Sequence, residues 1–212
     1  MDELLSMDET DSRMQDLRLR IQAGDQSALG PVFQVFRQRL RSAIRMRFND
    51  RVRRREDESD ILQESYFAAA SDLPRYAKKP KVPIYVWLRG IVQQRLVDAH
   101  RKHLSCKKRT LDQEISINQT SWSEPDSSSV ANQLVSDLAT PSILASKEEL
   151  WLILQSILEQ LEPMDREIIS LRHIEGLKSS EVAEVLNINQ STASTRYLRV
   201  LKKLKDGLEG VV

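Results

Sequence analysis

The protein has 212 residues, of which 40% are hydrophobic and 30% charged, and its formal net charge is +1 at pH 7. This composition is typical of one large or two small ordered domains and excludes a largely disordered chain. The single cysteine excludes an internal disulfide, and no apolar run approaches the ~18 residues of a membrane span, so we expect a cytoplasmic protein without membrane insertion.

The charges are unevenly distributed along the chain. Nine arginines and one acid lie between Arg37 and Arg55, and they are followed by the acidic run EDESD. A second basic stretch covers 95–109, and the segment from Arg196 to Lys205 has five cations and no acid. Alternating basic and acidic blocks suit a protein that contacts both DNA and another protein, although ordinary solvated helix faces explain them equally well.

The N-terminal part is predicted to be helical. Residues 1–14 are expected to form a disordered acidic leader, and a helical pattern covers 15–48 with a break at AGD, where Asp25 caps a new helix. The next helix is expected to have Asp60 as its N-cap, because a carboxylate there accepts hydrogen bonds from free backbone N–H groups. Its predicted buried stripe consists of Leu62, Tyr66, Ala69 and Leu73.

A loop and a long amphipathic helix follow in the sequence. The segment LPRYAKKPKVP has three prolines and four cations, which predicts a loop that ends at Pro83. A helix is then predicted from Ile84, with one face in the core and the other in solvent. The core face has Trp87, Leu88, Ile91, Val92, Leu96 and Ala99, and the solvent face has Arg89, Gln93, Gln94, Asp98 and Arg101.

After residue 104 the sequence becomes polar. Residues 105–145 are rich in Ser, Thr, Asp and Asn, which predicts a linker that includes one short helix at VANQLVSDLA. Fully extended, at ~3.3 Å per residue, a linker of this length reaches over 100 Å. Helical periodicity returns over 146–212. The predicted fold is therefore all-α, with two small helical domains at 15–104 and 146–212 joined by a long flexible linker.

The last two predicted helices have the pattern of a helix-turn-helix within a four-helix C-terminal domain. Asn187 lies where the chain must reverse, and asparagine tolerates the positive φ of such a turn better than most residues. Asn189 is a favourable N-cap for the second helix. That helix opens with small hydroxyl residues, which let the backbone approach DNA, and continues with cations that match phosphates. A helical hairpin with a solvated basic face is the alternative interpretation.

These segments together resemble bacterial sigma factors of the sigma-70 family. LEQLEPMDREIISLRHIEGLKSSEVAEVLNINQSTASTRYLRVLKKL is similar to the domain that reads the minus-thirty-five promoter element. DESDILQESYFAAASDL and YVWLRGIVQQRLVDAHRK are similar to the domain that binds RNA polymerase and reads the minus-ten element. The lack of a third domain between them resembles the extracytoplasmic-function (ECF) subgroup, and the serine-rich linker resembles its planctomycete-type branch. The resemblance covers about 15–104 and 146–208.

The resemblance implies a promoter-specificity subunit that opens DNA, is not an enzyme and needs no cofactor. Its partners would be promoter DNA, the clamp helices of beta-prime and the flap of beta in core RNA polymerase, and an anti-sigma factor, which is a common regulator in the family. The residues that would contact the clamp are Asp57, Asp60, Ile61, Leu62, Gln63 and Glu64.

The resemblance also implies two groups of DNA contacts, with a base of the minus-ten strand flipped towards the loop 75–83. Trp87 is expected to serve mainly in core packing. The minus-ten group is Arg75, Lys78, Lys79, Lys81, Trp87, Arg89, Gln93, Gln94, Arg95, Arg101 and Lys102. The minus-thirty-five group is Gln190, Ser191, Thr192, Ser194, Thr195, Arg196, Arg199, Lys202 and Lys203.

Two positions depart from the pattern of many family members. Gln94 stands where many relatives have asparagine, and Ser194 stands where many have a cation, so the base preferences of the family do not transfer to this chain. The linker has two open interpretations, a passive tether or a segment whose acids mimic nucleic acid inside the polymerase. Those acids are Asp112, Glu114, Glu124, Asp126 and Asp137.

Three other interpretations have less support. His100, His103 and Cys106 lack a fourth ligand nearby in sequence and lie among cations, so no metal site is expected. EDESD suits magnesium, as in a DNA-processing enzyme, but acids at a helix N-terminus are already explained by the helix dipole. A helix-turn-helix regulator that dimerises through 1–104 and binds palindromic DNA remains the alternative to a sigma factor.

Overall fold

The computed structural model of the protein describes residues 7–47, 57–104, 125–138 and 147–208. All regular structure in these segments is helical, which confirms the predicted fold class. A 3-10 turn at Gln26–Ala28 precedes the second helix, and a π-helical turn at Ser170–Ile174 follows the seventh. The helices are α1 (Met7–Gln22), α2 (Leu29–Arg47), α3 (Glu58–Lys78), α4 (Ile84–Leu104), α5 (Ser127–Leu138), α6 (Lys147–Glu159), α7 (Pro163–Ile169), α8 (Ser179–Leu186) and α9 (Gln190–Leu208).

The break between α1 and α2 lies where the sequence predicts it. The carboxylate of Asp25 accepts a hydrogen bond from the backbone N–H of Ser27 at 2.9 Å and so caps the 3-10 turn. The start of α1 differs from the expectation, because the helix begins at Met7, inside the stretch assigned to a leader. Leu17 and Ile21 are buried and fix α1 on the core, and a helix that is fixed in this way extends readily by further residues.

The N-cap of α3 lies three residues before the predicted N-cap. Asp57 is the N-cap, and its backbone N–H donates to the carboxylate of Asp60 at 3.2 Å. Asp60 is therefore a first-turn residue that caps the helix from inside, and the prediction that it is the N-cap itself was wrong. The sequence analysis correctly expected an aspartate as the N-cap. Asp57 and Asp60 both suit this role, and the position at which the backbone becomes helical selects Asp57.

The end of α3 also differs from the prediction, because the helix continues through Pro74 as far as Lys78. The first six residues of the predicted loop LPRYAKKPKVP, 73–78, are consequently helical. Proline removes one helical N–H, but tertiary contacts hold the last turn: the hydroxyl of Tyr76 donates to the carbonyl of Val82 at 2.7 Å, and its ring stacks on Trp87 with centroids 4.3 Å apart.

Part of the predicted linker is a packed helix. α5 coincides with the predicted short helix, and Val130, Ala131 and Leu134 are buried in an apolar cluster with residues of α6 and α9. The backbone N–H of Asp126 donates to the carbonyl of Met46, near the end of α2, at 2.9 Å. α5 therefore contacts elements on both sides of the linker. The linker acids Asp112, Glu114 and Glu124 lie outside the described residues.

The C-terminal helices follow the predicted pattern closely. α8 ends at Asn187, which has the left-handed conformation expected of it, with φ 52° and ψ 47°. α9 then buries Ala193, Val200 and Leu204 against the other helices. The turn between α8 and α9 is short enough that α9 presents its opposite face, rich in small polar and basic residues, to solvent.

The N-terminal half, 7–104, and the C-terminal half, 147–208, pack directly against each other. One cluster of buried apolar residues includes Tyr85 and Leu88 of α4 together with Ile168, Leu171 and Val182 of the C-terminal half. The sequence pattern predicts two domains and a flexible linker, but it does not predict this contact. The described arrangement is therefore closed, with α4 covered on the side that faces the C-terminal half. None of the described helices is long and apolar enough to cross a membrane.

Candidate polymerase and nucleic-acid interface

The first half of α3 has one solvent-exposed face, on which polar side chains lie beside a large apolar one. Asp60, Gln63, Glu64 and Phe67 are exposed at the spacing of one helix face, and Phe67 is 63% exposed although it is a large apolar residue. The sequence analysis did not single out Phe67. An exposed aromatic ring flanked by acids is the composition of a protein-binding surface.

The remaining residues predicted to bind polymerase are distributed around this face. Asp57 is exposed at the helix start, and Leu62 is half-buried. Ile61 is fully buried in the core, so its inclusion in a contact surface is corrected: it packs inside the domain. The correction has a simple reason, because Ile61 follows Asp60 by one position and a turn of about 100° per residue carries it to the opposite side of the helix.

A cavity of about 590 Å³ lies between α3 and α4. Trp87 forms one wall, and its indole Nε1–H donates to Asp72 at 2.9 Å. Arg75 donates from Nε to the other oxygen of the same carboxylate at 2.6 Å. The hydrogen bond from Arg75 lowers the pKa of Asp72 below its ordinary value against the opposing effect of burial, so the carboxylate is negatively charged at neutral pH. Four predicted minus-ten residues line this cavity: Arg75, Trp87, Gln94 and Arg95.

Among the cavity residues, Gln94 donates to Asp98 at 3.1 Å and remains exposed at the cavity edge.

The other predicted minus-ten residues fall into two groups. One group is exposed and basic: Lys78 and Lys79 at the end of α3, Lys81 in the following loop, and Arg101 and Lys102 near the end of α4. The second group, Arg89 and Gln93, was predicted to face solvent, and this prediction was wrong, because both side chains are buried and Arg89 donates to carboxylates of the C-terminal half.

Arg89 belongs to a group of five buried polar side chains between the two halves, which we call the interhalf cluster: Arg47, Tyr85, Arg89, Glu167 and Glu175. Each member is at most 7% exposed. Arg89 donates from Nε to Glu175 at 2.8 Å and from Nη2 to Glu167 at 2.7 Å. Arg47 donates to the same two carboxylates, at 3.0 Å to Glu175 and 2.6 Å to Glu167. The hydroxyl of Tyr85 donates to Glu175 at 2.9 Å.

The interhalf cluster contains two arginines and two glutamates, and contacts within it shift the pKa values of Glu175 and Arg89. Burial by itself would raise the pKa of Glu175, but the charges of Arg89 and Arg47, with hydrogen bonds from Arg89 and Tyr85, lower it to about 2. Burial would likewise lower the pKa of Arg89, and the charges of Glu175 and Glu167 raise it above its ordinary value instead. Glu175 and Arg89 are therefore both charged at neutral pH, and each has partners in the opposite half.

One more arginine, Arg39, contacts the interhalf cluster from α2. Arg39 of α2 donates from Nε to the backbone carbonyl of Glu175 at 2.8 Å, and its guanidinium carbon lies 3.9 Å from the centre of the Tyr85 ring. The same side chain approaches Glu181 of α8 at 3.9 Å. The cluster was missed by sequence reasoning. The sequence does contain one indication of the cluster, namely charged residues next to apolar ones in a helix, such as Glu167 before Ile168 and Ile169.

The exposed face of α9 carries most of the predicted minus-thirty-five residues. Seven of them are exposed, and Ser194 and Arg196 are half-buried. Arg196 and Arg199 both donate to Asp165 of α7, each at 2.7 Å, although Asp165 itself is only 1% exposed. Hydrogen bonds from Arg196 to Asp165 and to Glu162 raise the pKa of Arg196 further. The exposed seven are Gln190, Ser191, Thr192, Thr195, Arg199, Lys202 and Lys203.

Asp165 also contributes to the exposed face of α9, and the sequence analysis did not single it out. Its carboxylate divides its two oxygens between Arg196 and Arg199, so it orients two cations that are one turn apart on α9. Within residues 7–47, 57–104, 125–138 and 147–208, no three His, Cys, Asp or Glu side chains are grouped as metal ligands would be. Cys106 lies outside these segments.

Comparison with known proteins relates almost the whole chain to one family. A family model described as ECF sigma factor matches residues 12–209. The chain is 27% identical over 184 residues to the ECF RNA polymerase sigma factor SigD of Mycobacterium tuberculosis (strain ATCC 25618 / H37Rv), a match that spans 87% of this chain and 78% of SigD. It is 22% identical over 201 residues to the RNA polymerase sigma-H factor of Pseudomonas aeruginosa, with 94% and 96% of the two chains covered.

The fold is also similar to a solved structure. CnrH, in a structure of its complex with the cytosolic domain of CnrY, superposes with a TM-score of 0.53 over 92% of this chain and 97% of CnrH. The two sequences are 21% identical, so this likeness concerns the fold alone. Since the matches extend from the N-terminal half through the C-terminal half, the two halves are related to known proteins as one unit.

Proposed function

Because the chain belongs to the ECF sigma factor family, whose members are transcription initiation factors and not enzymes, we propose that it binds core RNA polymerase and directs it to a specific set of promoters. The observation that carries the proposal is the family match over residues 12–209, which includes both halves. A fold by itself does not determine a function, but two promoter-reading modules in the same order support one.

For the polymerase contact, we infer that the exposed face of α3 binds the clamp helices of beta-prime. Asp60, Gln63 and Glu64 supply polar contacts around Phe67, and this combination of an apolar centre and a charged rim suits a protein interface. Asp57 and Leu62 lie beside it. The flap of beta is the corresponding partner of the C-terminal half.

For the minus-ten element, the cavity between α3 and α4 suits one flipped base. A base that leaves the duplex needs an aromatic or apolar wall and hydrogen-bonding groups, which Trp87, Gln94 and Asp72 supply. The exposed cations Lys78, Lys79, Lys81, Arg101 and Lys102 then hold the backbone of the melted strand. Arg89 joins this surface only when the C-terminal half, which holds its two carboxylate partners, moves away from α4.

For the minus-thirty-five element, α9 is proposed to enter the major groove. Its exposed residues between Gln190 and Thr195 are small and polar, which permits close approach to base edges. Arg196, Arg199, Lys202 and Lys203 lie further along the helix and match phosphates. An anti-sigma factor is proposed as a regulatory partner, since the structurally similar CnrH was solved with the cytosolic domain of CnrY.

The proposal is tested by transcription with purified components. The full chain should bind core RNA polymerase as a monomer and yield run-off transcripts from promoters that depend on it in cells. A chain that sediments as a dimer, binds palindromic duplex DNA alone and gives no transcript with core would support the helix-turn-helix regulator instead.

A matched pair of variants tests the polymerase face. Phe67→Ala removes an apolar side chain that is 63% exposed on α3, and it should weaken core binding by about tenfold or more, as expected for an aromatic residue at the centre of an interface. Leu19→Ala on α1 is the control, because Leu19 is 62% exposed but lies outside the proposed face. Equal core affinity of both variants and the wild type, measured by fluorescence anisotropy, would remove Phe67 from the interface.

A further inference from the structure

We propose that Leu198 of α9 recognises the methyl group of a thymine in the minus-thirty-five element, and that the short side chain of Ser194 leaves room for that methyl group. The inference rests on the proposed function, because it takes α9 to enter the major groove. It goes further by naming the base that one flank of this helix prefers. Leu198 is not among the residues that the family resemblance assigned to DNA.

Leu198 lies on the exposed face of α9. This residue is 64% exposed, whereas Val200, two positions further on, is 0% exposed. At about 100° per residue, Leu198 lies about 20° from Ser191 and about 60° from Thr195 around the helix axis. Both of those side chains are exposed and belong to the proposed minus-thirty-five group. An isolated exposed leucine is common on protein surfaces, so its position among the proposed DNA contacts is what points to a role.

The exposed face of α9 has two flanks of different chemistry. On the first flank, Arg196 and Arg199 donate to Asp165 at 2.7 Å each, which places both guanidinium groups beside α7. On the second flank, Ser194 and Leu198 are neighbours on the helix surface, because they are four residues apart, and neither is charged. Phosphate contacts favour cations, whereas an apolar side chain gains nothing from a phosphate. The first flank therefore suits the DNA backbone, and the second suits the edges of the bases.

The second flank has the chemistry of a thymine reader. In the major groove, guanine presents two acceptors, which suit arginine or lysine, whereas thymine presents one acceptor and a methyl group. The Leu198 side chain can bury such a methyl group, and the Ser194 hydroxyl can donate to the neighbouring acceptor. Since neither residue is a cation, this flank lacks the groups that favour guanine. We therefore expect a thymine opposite Leu198.

The test removes one methyl group at a time from promoter DNA. The full chain is assembled with core RNA polymerase on a promoter mapped from transcripts that depend on this chain in cells. Each thymine of the minus-thirty-five element, on either strand, is replaced singly by deoxyuridine, which differs from thymidine only in lacking the methyl group. At one position the replacement should lower promoter affinity about fourfold, as expected for the loss of one buried methyl group. Competition against a labelled promoter duplex measures this affinity.

A matched pair of leucine variants assigns the contact to α9. Leu198→Ala should bind the thymine and deoxyuridine promoters equally, because the apolar partner of the methyl group is gone. Leu152→Ala is the control, since Leu152 is 61% exposed on α6, outside the proposed DNA face, and this variant should keep the preference of the wild type. Because Leu198 is exposed, its truncation should leave the helix content and the midpoint of urea unfolding unchanged.

A substitution of Ser194 should change the base preference instead of removing it. Ser194→Arg places a guanidinium group on the second flank, and arginine pairs with O6 and N7 of guanine. All four base pairs are compared at the methyl-sensitive position and at the positions on either side of it. One of these positions should now favour guanine by about tenfold or more. Equal affinity of Ser194→Arg for all four base pairs at each position would place the second flank against phosphate and would overturn the inference.

The outcomes separate the role of Leu198 from the proposed function. A wild type that supports transcription, but shows no methyl-sensitive thymine in the element, would contradict this role and leave the sigma-factor function intact. Sensitivity that persists in Leu198→Ala would assign the methyl contact to another residue and would equally contradict it. A wild type that neither binds core nor yields transcripts would contradict the sigma-factor function, and the role of Leu198 would fall with it.

Discussion

Two of the places where arginine pairs with glutamate or aspartate in this protein differ strongly in their exposure to water. In the interhalf cluster, the side chains of Arg47 and Glu175 are both 0% exposed. On α9, Arg199 and Arg196 have side chains that are 49% and 27% exposed, although their shared partner Asp165 is buried. The donor–acceptor distances at the two places are similar, between 2.6 and 3.0 Å.

The comparison teaches that burial, more than distance, decides what an ion pair does. Where water is excluded, loss of one partner leaves a charge that nothing solvates, so the cluster couples the two halves strongly. Where one partner is in water, screening leaves little net energy, and the pair mainly orients the side chains. The first place is thus suited to hold a domain arrangement, and the second to prepare cations for phosphate.

The largest effect is expected from removing a buried cation. Arg47→Leu leaves Glu167 and Glu175 short of one positive partner and should lower the free energy of unfolding by about 3–5 kcal/mol in urea titration. Arg45→Leu, on the same helix, is the control, because the Arg45 side chain is 45% exposed and its pair with Glu58 is worth about 0–1 kcal/mol. Similar losses for both variants would mean that burial does not distinguish the two arginines.

A pH titration should give the next largest effect. Glu175 has a pKa of about 2 in the closed chain and an ordinary value of 4.5 when exposed, so its charged form favours closure. The contribution is complete above about pH 4.5 and is lost as the pH falls towards 2, with a size of about 3 kcal/mol. Around it, Arg47 projects from α2, Tyr85 and Arg89 from α4, and Glu167 from α7.

The measurement is the radius of gyration between pH 7 and pH 3. The wild type should expand below pH 4.5 while Glu175→Gln, which has no carboxylate at this position, should start expanded and lack this step. Expansion of the wild type between pH 6 and pH 5 would point to a different titrating group.

A smaller effect is expected from Asp165→Asn. This change removes the charge that holds Arg196 and Arg199, and because both arginines are partly exposed it should lower the free energy of unfolding by only about 1 kcal/mol. Loss of a negative charge should raise affinity for nonspecific duplex DNA, whereas loss of orientation should lower the ratio of specific to nonspecific affinity severalfold. Filter binding with promoter and scrambled duplexes measures both. An unchanged ratio would exclude an orienting role.

The smallest effect on stability is expected from Arg199→Ala, because Asp165 keeps its hydrogen bond from Arg196. Unfolding should change by no more than about 0.5 kcal/mol. DNA affinity should fall, and the slope of log affinity against log salt should decrease by about one, as expected for one lost phosphate contact. A slope equal to that of the wild type would place Arg199 away from the DNA backbone.

Local sequence patterns predicted most of the helices of this protein. Asp25 and Asn187 behave as predicted, because capping and positive φ depend on residues that are close in sequence. The misplaced ends of α3 are local errors, in which Asp57 outcompeted Asp60 as the cap and the packing of Tyr76 outweighed Pro74.

The contact between the halves could not be predicted in the same way. Arg89 has the period of a solvent-facing side, and its partners in the core, Glu167 and Glu175, are 78 and 86 positions away in the chain. The resemblance to a family predicted the two modules and their roles. It did not predict how the modules pack in the free chain, because pairing between distant charged residues leaves no local periodicity.

The position of α5 sets a limit on the promoters that the open chain can serve. Val130, Ala131 and Leu134 pack with residues of α6, and the same apolar cluster includes Met46 of α2, whose carbonyl accepts a hydrogen bond from the backbone N–H of Asp126. If α5 leaves α2 with the C-terminal half, residues 105–126 span at most roughly 70 Å. Each added base pair lengthens the spacer by about 3.4 Å. Such a short tether has little slack, so transcription should tolerate shortened spacers better than lengthened ones.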